Sequence, residues 1–197
     1  INPYLNNILD FIVIEPITIN STIRGTFQVW EYRQTNAQLL GIDFDAAYVF
    51  NKALQFNHQA SIVKGIDRIQ DEALINMPPV NTTIEIVYYS SKIKNLRLAL
   101  QSEYVFRQNE FPNTDFEIYI PETETQEMVE VSSPPPAYHL LNFNSSIDFN
   151  FSEQSTLTVG FQITNMLNSS YRNYLNRMRL FADDLGRNFS VNIKLNY

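Results

Sequence analysis

The chain has 197 residues, carries a formal net charge of -7 and contains no cysteine. A disulfide framework and a thiolate metal site are therefore excluded, and the acidic balance argues against nucleic acid as a partner, since phosphate contacts need clustered Lys and Arg. No run of about 18 apolar residues exists to make a transmembrane helix, yet 11 Tyr and 14 Phe stand against only 5 Gly.

Taken in chain order, the segments read as strands. Residues 4–14 are apolar but alternate poorly. Leu40, Ile42, Phe44, Ala46, Tyr48 and Phe50 then alternate with Gly41, Asp43, Asp45 and Ala47. Leu54, Phe56, Ala60 and Ile62 alternate with Gln55, Asn57, Gln59 and Ser61. Ile84, Ile86 and Tyr88 follow around Thr83 and Glu85, and Leu96, Leu98, Leu100, Tyr104 and Phe106 around Arg97, Gln101, Glu103 and Arg107. Leu141, Phe143, Ile147, Phe149 and Phe151 interleave with Asn142, Asn144, Ser146, Asp148 and Asn150. Leu157, Val159, Phe161 and Ile163 interleave with Thr156, Thr158, Gly160, Gln162 and Thr164. From Asn188 the chain alternates without error to Tyr197. A period of two is the strand signal, and about 10 residues suffice for a tilted strand to cross a bilayer.

The connections carry a second signal. Three are short, near residues 51–53, 90–95 and 152–155, and four are long, near 16–34, 66–79, 108–137 and 165–187. Short and long alternate strictly, as expected of a transmembrane barrel with short periplasmic turns and long external loops. A soluble sandwich or lipocalin-like barrel shares the alternation of side chains but has no reason to put every long loop at one end. The polar face is rich in Asn, Gln, Thr and Ser, which suits a hydrated lumen. The apolar face carries Tyr48/Phe50, Tyr104/Phe106 and Phe149/Phe151 at its ends, which suits an interfacial girdle. The expected fold is an all-β antiparallel transmembrane β-barrel sector of eight strands spanning 1–197, with Ile1 and Tyr197 on the periplasmic side. The chain opens at Ile1-Asn2-Pro3 without Met or signal peptide, so it is expected to derive from something longer.

The segment Ile163-Thr164-Asn165-Met166-Leu167-Asn168-Ser169-Ser170-Tyr171-Arg172 resembles the NLFN/D-x-x-Y element near the C-terminus of TonB-dependent outer-membrane receptors. Leu185-Gly186-Arg187-Asn188 resembles the PGRN that opens that family's last strand, with Leu185 in the place of Pro, and Pro78-Pro79 resembles a Pro pair before an earlier strand. Tyr174 stands where a His is frequent, which weakens any metal-ligand role. The wealth of Asn, Tyr and Phe is similar to Bacteroidetes receptors. The resemblance implies a barrel of about 22 strands with an internal plug, of which this chain supplies the last eight, without plug or TonB box. It implies the cell outer membrane, active uptake of a nutrient such as a siderophore, metal chelate or other scarce ligand, and no enzymatic step. The implied partners are outer-membrane lipid, the rest of the receptor barrel and plug, the TonB complex through the N-terminal part, and an outer-membrane lipoprotein. The terminal pattern resembles the recognition signal for barrel assembly, with Ser190, Leu195 and Tyr197 in its places and Asn192 where Gly is preferred.

Candidate chemistry concentrates in two loops. Arg172, Tyr174, Arg177, Arg179 and Phe181 combine charge with aromatic surface, a combination suited to an anionic chelate. The plain alternative is that these Arg pair with Asp183, Asp184 and lumen carboxylates. The loop 108–137 is acidic throughout, and Asp115, Glu117, Glu122 and Glu124 are candidates for capturing a cation. The plain alternative is a solvated loop, with residues 116–120 and 128–131 extending the flanking strands as a hairpin. His58 falls on the apolar face, where packing or a register slip explains it better than chemistry, and His139 reads as a loop-edge residue. Asp43, Asp45, Glu85, Arg97 and Glu103 fall on the lumen face, to meet a plug, hold water or pair across strands. No nucleophile stands beside a base at readable spacing, so neither a protease nor a lipase reading gains support, and neither a cofactor nor a metal site is expected. The competing reading is a free-standing eight-stranded barrel with a structural or adhesive role, which requires residues 4–14 to pair with 188–197.

Overall fold

The computed structural model describes residues 1–120, 123–152 and 155–197. Its strands are β1 (Asn2–Thr22), β2 (Gly25–Asn51), β3 (Leu54–Asp67), β4 (Glu72–Ala73), β5 (Asn81–Tyr89), β6 (Leu96–Val105), β7 (Phe116–Ile120), β8 (Thr125–Val129), β9 (Tyr138–Asn150), β10 (Thr156–Thr164) and β11 (Asn188–Asn196). Eight of them form one antiparallel sheet in the order β1-β2-β3-β5-β6-β9-β10-β11, with β4 clipped to β3. Every expected strand is present, and each pairs with its neighbour in sequence along that path. Among the described residues β1 pairs only with β2, and β11 only with β10.

The alternation becomes two faces. Ile42 lies opposite Ile62, Phe56 opposite Ile86, Leu100 opposite Phe143, and Phe161 opposite Val191. This apolar face is left in the open: Val191 is 65% and Ile193 72% exposed. Exposed apolar surface on this scale is unfavourable in water and points to an apolar solvent or a covering partner. On the other face Asp43 lies opposite Ser61, Asn57 opposite Glu85, and Gln101 opposite Asn142. Asp43, Asp45, Glu85 and Arg97 are engaged across strands. Ser61 Oγ donates to Asp43 at 2.7 Å and Gln59 Nε2 to Asp45 at 2.8 Å. Asn57 Nδ2 and Arg97 Nη2 both donate to Glu85, at 2.8 and 3.1 Å.

Three expectations need correction, and for His58 the structure chooses packing over a register slip. Residues 16–34 are not a loop: β1 and β2 run on as a two-stranded ribbon whose turn lies between Thr22 and Gly25. The Ile, Thr, Val and aromatic content of that stretch supports strand, and Pro16 stands beside a register shift between Pro16 and Thr18, the kind of irregularity at which strands tolerate proline. The second shift, between Ile8 and Phe11, contains Asp10 at φ 55° and accounts for the poor alternation of the first strand. The hairpin in the acidic loop forms a separate sheet, β7 with β8, and its second strand begins at Thr125 instead of 128. His139 is not at a loop edge but inside β9, where its Nε2 shares a 2.8 Å hydrogen bond with Ser102 Oγ. His58 shows no register slip. It lies opposite Ala46 and Ile84, shares a 2.9 Å hydrogen bond with Thr82 Oγ1 and meets Phe44 edge-on at 5.2 Å.

A small core sits at the long-loop end of the polar face. Loop 68–79 folds back over β1–β3, so that Leu74 packs with Val13 and Ala37, flanked by Ile8, Phe11, Leu39, Ile75 and Met77. Gly65 makes the approach possible: a Cβ there would lie 2.3 Å from Met77 Sδ and 2.9 Å from Leu74 Cδ1. Beside it, Arg33 reaches Glu15 at 2.6 Å and Asp67 at 2.9 Å, and Thr35 Oγ1 donates to Asp67 at 2.5 Å.

Candidate functional site

The loop from Asn165 to Arg187 is built on a clasp of asparagines. Asn165 is buried at φ 49° and Asn168 sits at φ 53°, a conformation that Asn tolerates better than most residues. The Asn165 side chain donates to Ser169 O (2.9 Å) and Leu185 O (3.4 Å) and accepts from Ser169 N–H (2.9 Å), while its own N–H donates to Asn142 Oδ1 on β9 (2.9 Å). Asn168 Oδ1 accepts from Arg187 N–H at 2.9 Å, and a Cβ on Gly186 would come within 2.9 Å of that oxygen. The two asparagines, Gly186 and Arg187 thus join both ends of the loop. The family-like motif has a structural cause: it closes a long connection at its base.

Within the loop, a 3-10 turn at Arg177–Leu180 is capped by Asn176, whose side chain accepts from Met178 N–H. Arg172 Nε donates to Asp183 Oδ1 at 2.6 Å, and its Nη1 donates to Arg179 O at 2.8 Å. Asp183 also accepts from the Ser170 hydroxyl; this bond and then Arg172 hold its carboxyl below the ordinary range. Asp184 receives Asn173 N–H at 2.6 Å and Asn176 Nδ2 at 2.9 Å. Tyr174 is buried with Arg179 stacked on its ring at 4.7 Å. Burial pushes the Tyr174 phenol up, against the Arg179 charge and a backbone hydrogen bond from Asn76 in loop 68–79. Arg177 lies 5.3 Å over the Trp30 ring of β2, and Phe181 is exposed. Of the five candidate ligand residues, the structure therefore brings Arg172, Tyr174 and Arg179 into one cluster. It places Arg177 against β2 and leaves Phe181 outside the cluster. Three connections and the β1–β2 ribbon meet here, through Asn76, Val131, the loop itself and Trp30.

The acidic candidates do not converge. Asp115 Oδ1 accepts from Val131 N–H, Ser132 N–H and Ser132 Oγ at 2.8, 2.9 and 2.6 Å, closing the base of the β7–β8 hairpin. Burial alone would raise its carboxyl, but these three bonds outweigh it and hold the group below its ordinary value. Glu117 lies on β7 opposite Met128, Glu124 is exposed in the hairpin turn at φ 51°, and Glu122 lies outside the described residues. Among the described residues no three His, Asp or Glu groups are placed to hold a metal ion. At the far end of the sheet, Ser190 lies opposite Gln162 on the polar face, Leu195 opposite Leu157 on the apolar face, and Tyr197 just beyond β11.

Sequence reasoning missed Ser133, Pro135 and Pro136. With Arg172, Arg179 and Leu180 they line a cavity of about 300 Å³. No spacing in the sequence announces this grouping; the run Pro134-Pro135-Pro136 was the available signal of a rigid wall.

No protein-family model matches the chain, and no curated protein matches it. Among solved structures the fold is shared with copper transporter OprC, at a TM-score of 0.69 and 15% identity, over 99% of this chain and 28% of that one. The chain thus spans under a third of the length of the structure it matches, and at this identity the likeness is one of fold.

Proposed function

We propose that the chain is the C-terminal eight-stranded sector of a TonB-dependent outer-membrane receptor of about 22 strands, which imports a scarce nutrient such as a siderophore or metal chelate. The observation that carries this reading is the open sheet: eight strands with one apolar and one polar face, whose end strands β1 and β11 are not paired with each other. An unpaired strand edge in lipid is costly, because each unsatisfied backbone group costs several kcal/mol. Further strands of the same barrel are the natural cover for both edges. The likeness to a transporter wall over nearly the whole chain supports this reading, and the asparagine clasp supports the position near the barrel's end. It carries nothing on a Bacteroidetes origin. The apolar face then meets outer-membrane lipid, short turns face the periplasm, and the loop cluster faces outward. Plug, TonB complex and any surface lipoprotein act through parts beyond this sheet, and Ser190, Leu195 and Tyr197 serve barrel assembly. No step of chemistry is assigned to the chain.

The test is a paired-cysteine experiment in cells, with Leu5→Cys on β1 and Val191→Cys on β11. In the receptor reading the envelope-bound protein has a mass well above that of this chain, and the two cysteines do not cross-link. A direct disulfide between them in a protein of this length would establish the closed eight-stranded barrel and sink the proposal.

A further inference from the structure

A guanidinium deep in a protein normally has a carboxylate beside it, because an uncompensated buried charge is strongly unfavourable. Arg179 is 7% exposed, and no carboxylate lies within ion-pair distance of it among the described residues. Its Nη1 donates to Tyr174 O at 2.9 Å and its Nη2 to Val131 O at 3.3 Å, while Nε has no partner. Burial disfavours its charged form, and the face of the neutral Tyr174 ring, 4.7 Å away, is a favourable but uncharged neighbour. Arginine does not escape by losing its proton, since its guanidinium stays protonated in proteins. Among the described residues the site thus holds a positive charge with no carboxylate counter-ion.

The surroundings define what would complete it. The cavity of about 300 Å³ beside Arg179 is bounded by a second cation, Arg172, by Ser133, and by the apolar walls of Pro135, Pro136 and Leu180. Arg172 is already paired with Asp183, at 2.6 Å. Asp115, which closes the base of the β7–β8 hairpin, is occupied by the amides of Val131 and Ser132. Charge on one side and apolar walls on the other suit a negatively charged group carried on a compact apolar body.

We infer that the cavity between Arg172, Arg179, Ser133 and Pro135-Pro136 is an anion subsite that takes a carboxylate group borne on an apolar or aromatic ring. The carboxylate supplies the missing counter-ion to Arg179, and the ring lies on the proline wall. The inference deepens the import reading by giving the imported ligand a carboxylate, and it rests on that reading only for its use, because binding is measurable without transport.

The experiment is calorimetric titration of the full-length protein in detergent micelles with benzoate, and with benzamide as the neutral ring of the same shape. Benzoate is expected to bind and benzamide to bind at least about tenfold more weakly, the loss typical of a charge-assisted hydrogen bond. Arg179→Gln should abolish the difference. Because that change also removes two bonds to backbone carbonyls, Ser133→Leu is the second variant: it fills the cavity mouth and leaves Arg179 untouched, and it should weaken benzoate to the same degree. Equal binding of benzoate and benzamide, undiminished benzoate binding to Ser133→Leu, or reproduction of the benzoate signal by an equal concentration of chloride would each overturn the subsite. A cross-link between β1 and β11 would overturn the receptor reading and leave the titration result standing, so the two failures are separable.

Discussion

Asn165 serves partners in three places: Asn142 on β9, Ser169 within the loop and Leu185 at the loop's far end. Replacing it by Ala removes the side-chain bonds and places a Cβ-bearing apolar residue at positive φ. The expected cost is about 2–3 kcal/mol, summed from lost buried hydrogen bonds and left-handed strain. Limited proteolysis of the Asn165→Ala protein should show faster cleavage between residues 165 and 187; an unchanged rate would mean that the cluster at the loop's tip holds it instead. Asp115 offers a pH test at the same scale. Its folded carboxyl lies below the ordinary value, so its contribution is complete above the unfolded pKa of about 3.9 and is lost as pH falls through the lower folded one. Below about pH 4 the amides of Val131 and Ser132 should exchange hydrogen faster, beyond the intrinsic change. In Asp115→Asn this extra pH dependence should vanish.

Among the elements, the most dependent on a single position is loop 68–79. Its seat on the sheet exists because Gly65 leaves room for Met77 and Leu74. Gly65→Val should displace both side chains at a cost of about 1–3 kcal/mol, the usual range for overpacking. The loop should then become cleavable by trypsin after Arg68 while β3 keeps its pairing, a combination that separates loop release from general unfolding. The elements also show what the residues announced and what they withheld. Alternation revealed the β-sheet faces because a period of two is a local property. The β1–β2 ribbon was read as a loop because Pro16 and the bulges interrupt that period, and only pairing along both strands restores it. The Asn165–Asn188 motif was legible as a pattern. Its role as a clasp was not, since the bonds from Asn165 to Leu185 and from Arg187 to Asn168 span about twenty residues. The seating of Arg179 against Tyr174 and Val131 was invisible for the same reason: Val131 lies 48 positions away.

For the whole molecule, the decisive quantity is which solvent each face meets. In the membrane reading Ile193 faces lipid and Asn192 the lumen, one residue apart on β11. Ile193→Arg should destabilise the folded protein in lipid vesicles by about 2–4 kcal/mol if it lies near the bilayer midplane, whereas Asn192→Arg should change stability little. Urea titration of the full-length protein in vesicles measures both. Equal effects at the two positions would mean that the sheet does not separate lipid from water.

The inward fold of loop 68–79 has a consequence for passage. Leu74, Ile75 and Met77 cover the polar face over β1–β3 at the long-loop end. In the receptor reading this narrows the opening beside β1–β3. Further round the same face Asn144, Thr158, Gln162 and Asn192 offer a solute many hydrogen bonds and no charge of their own. Such a surface lets a polar cargo exchange partners from rung to rung without being held at any one of them.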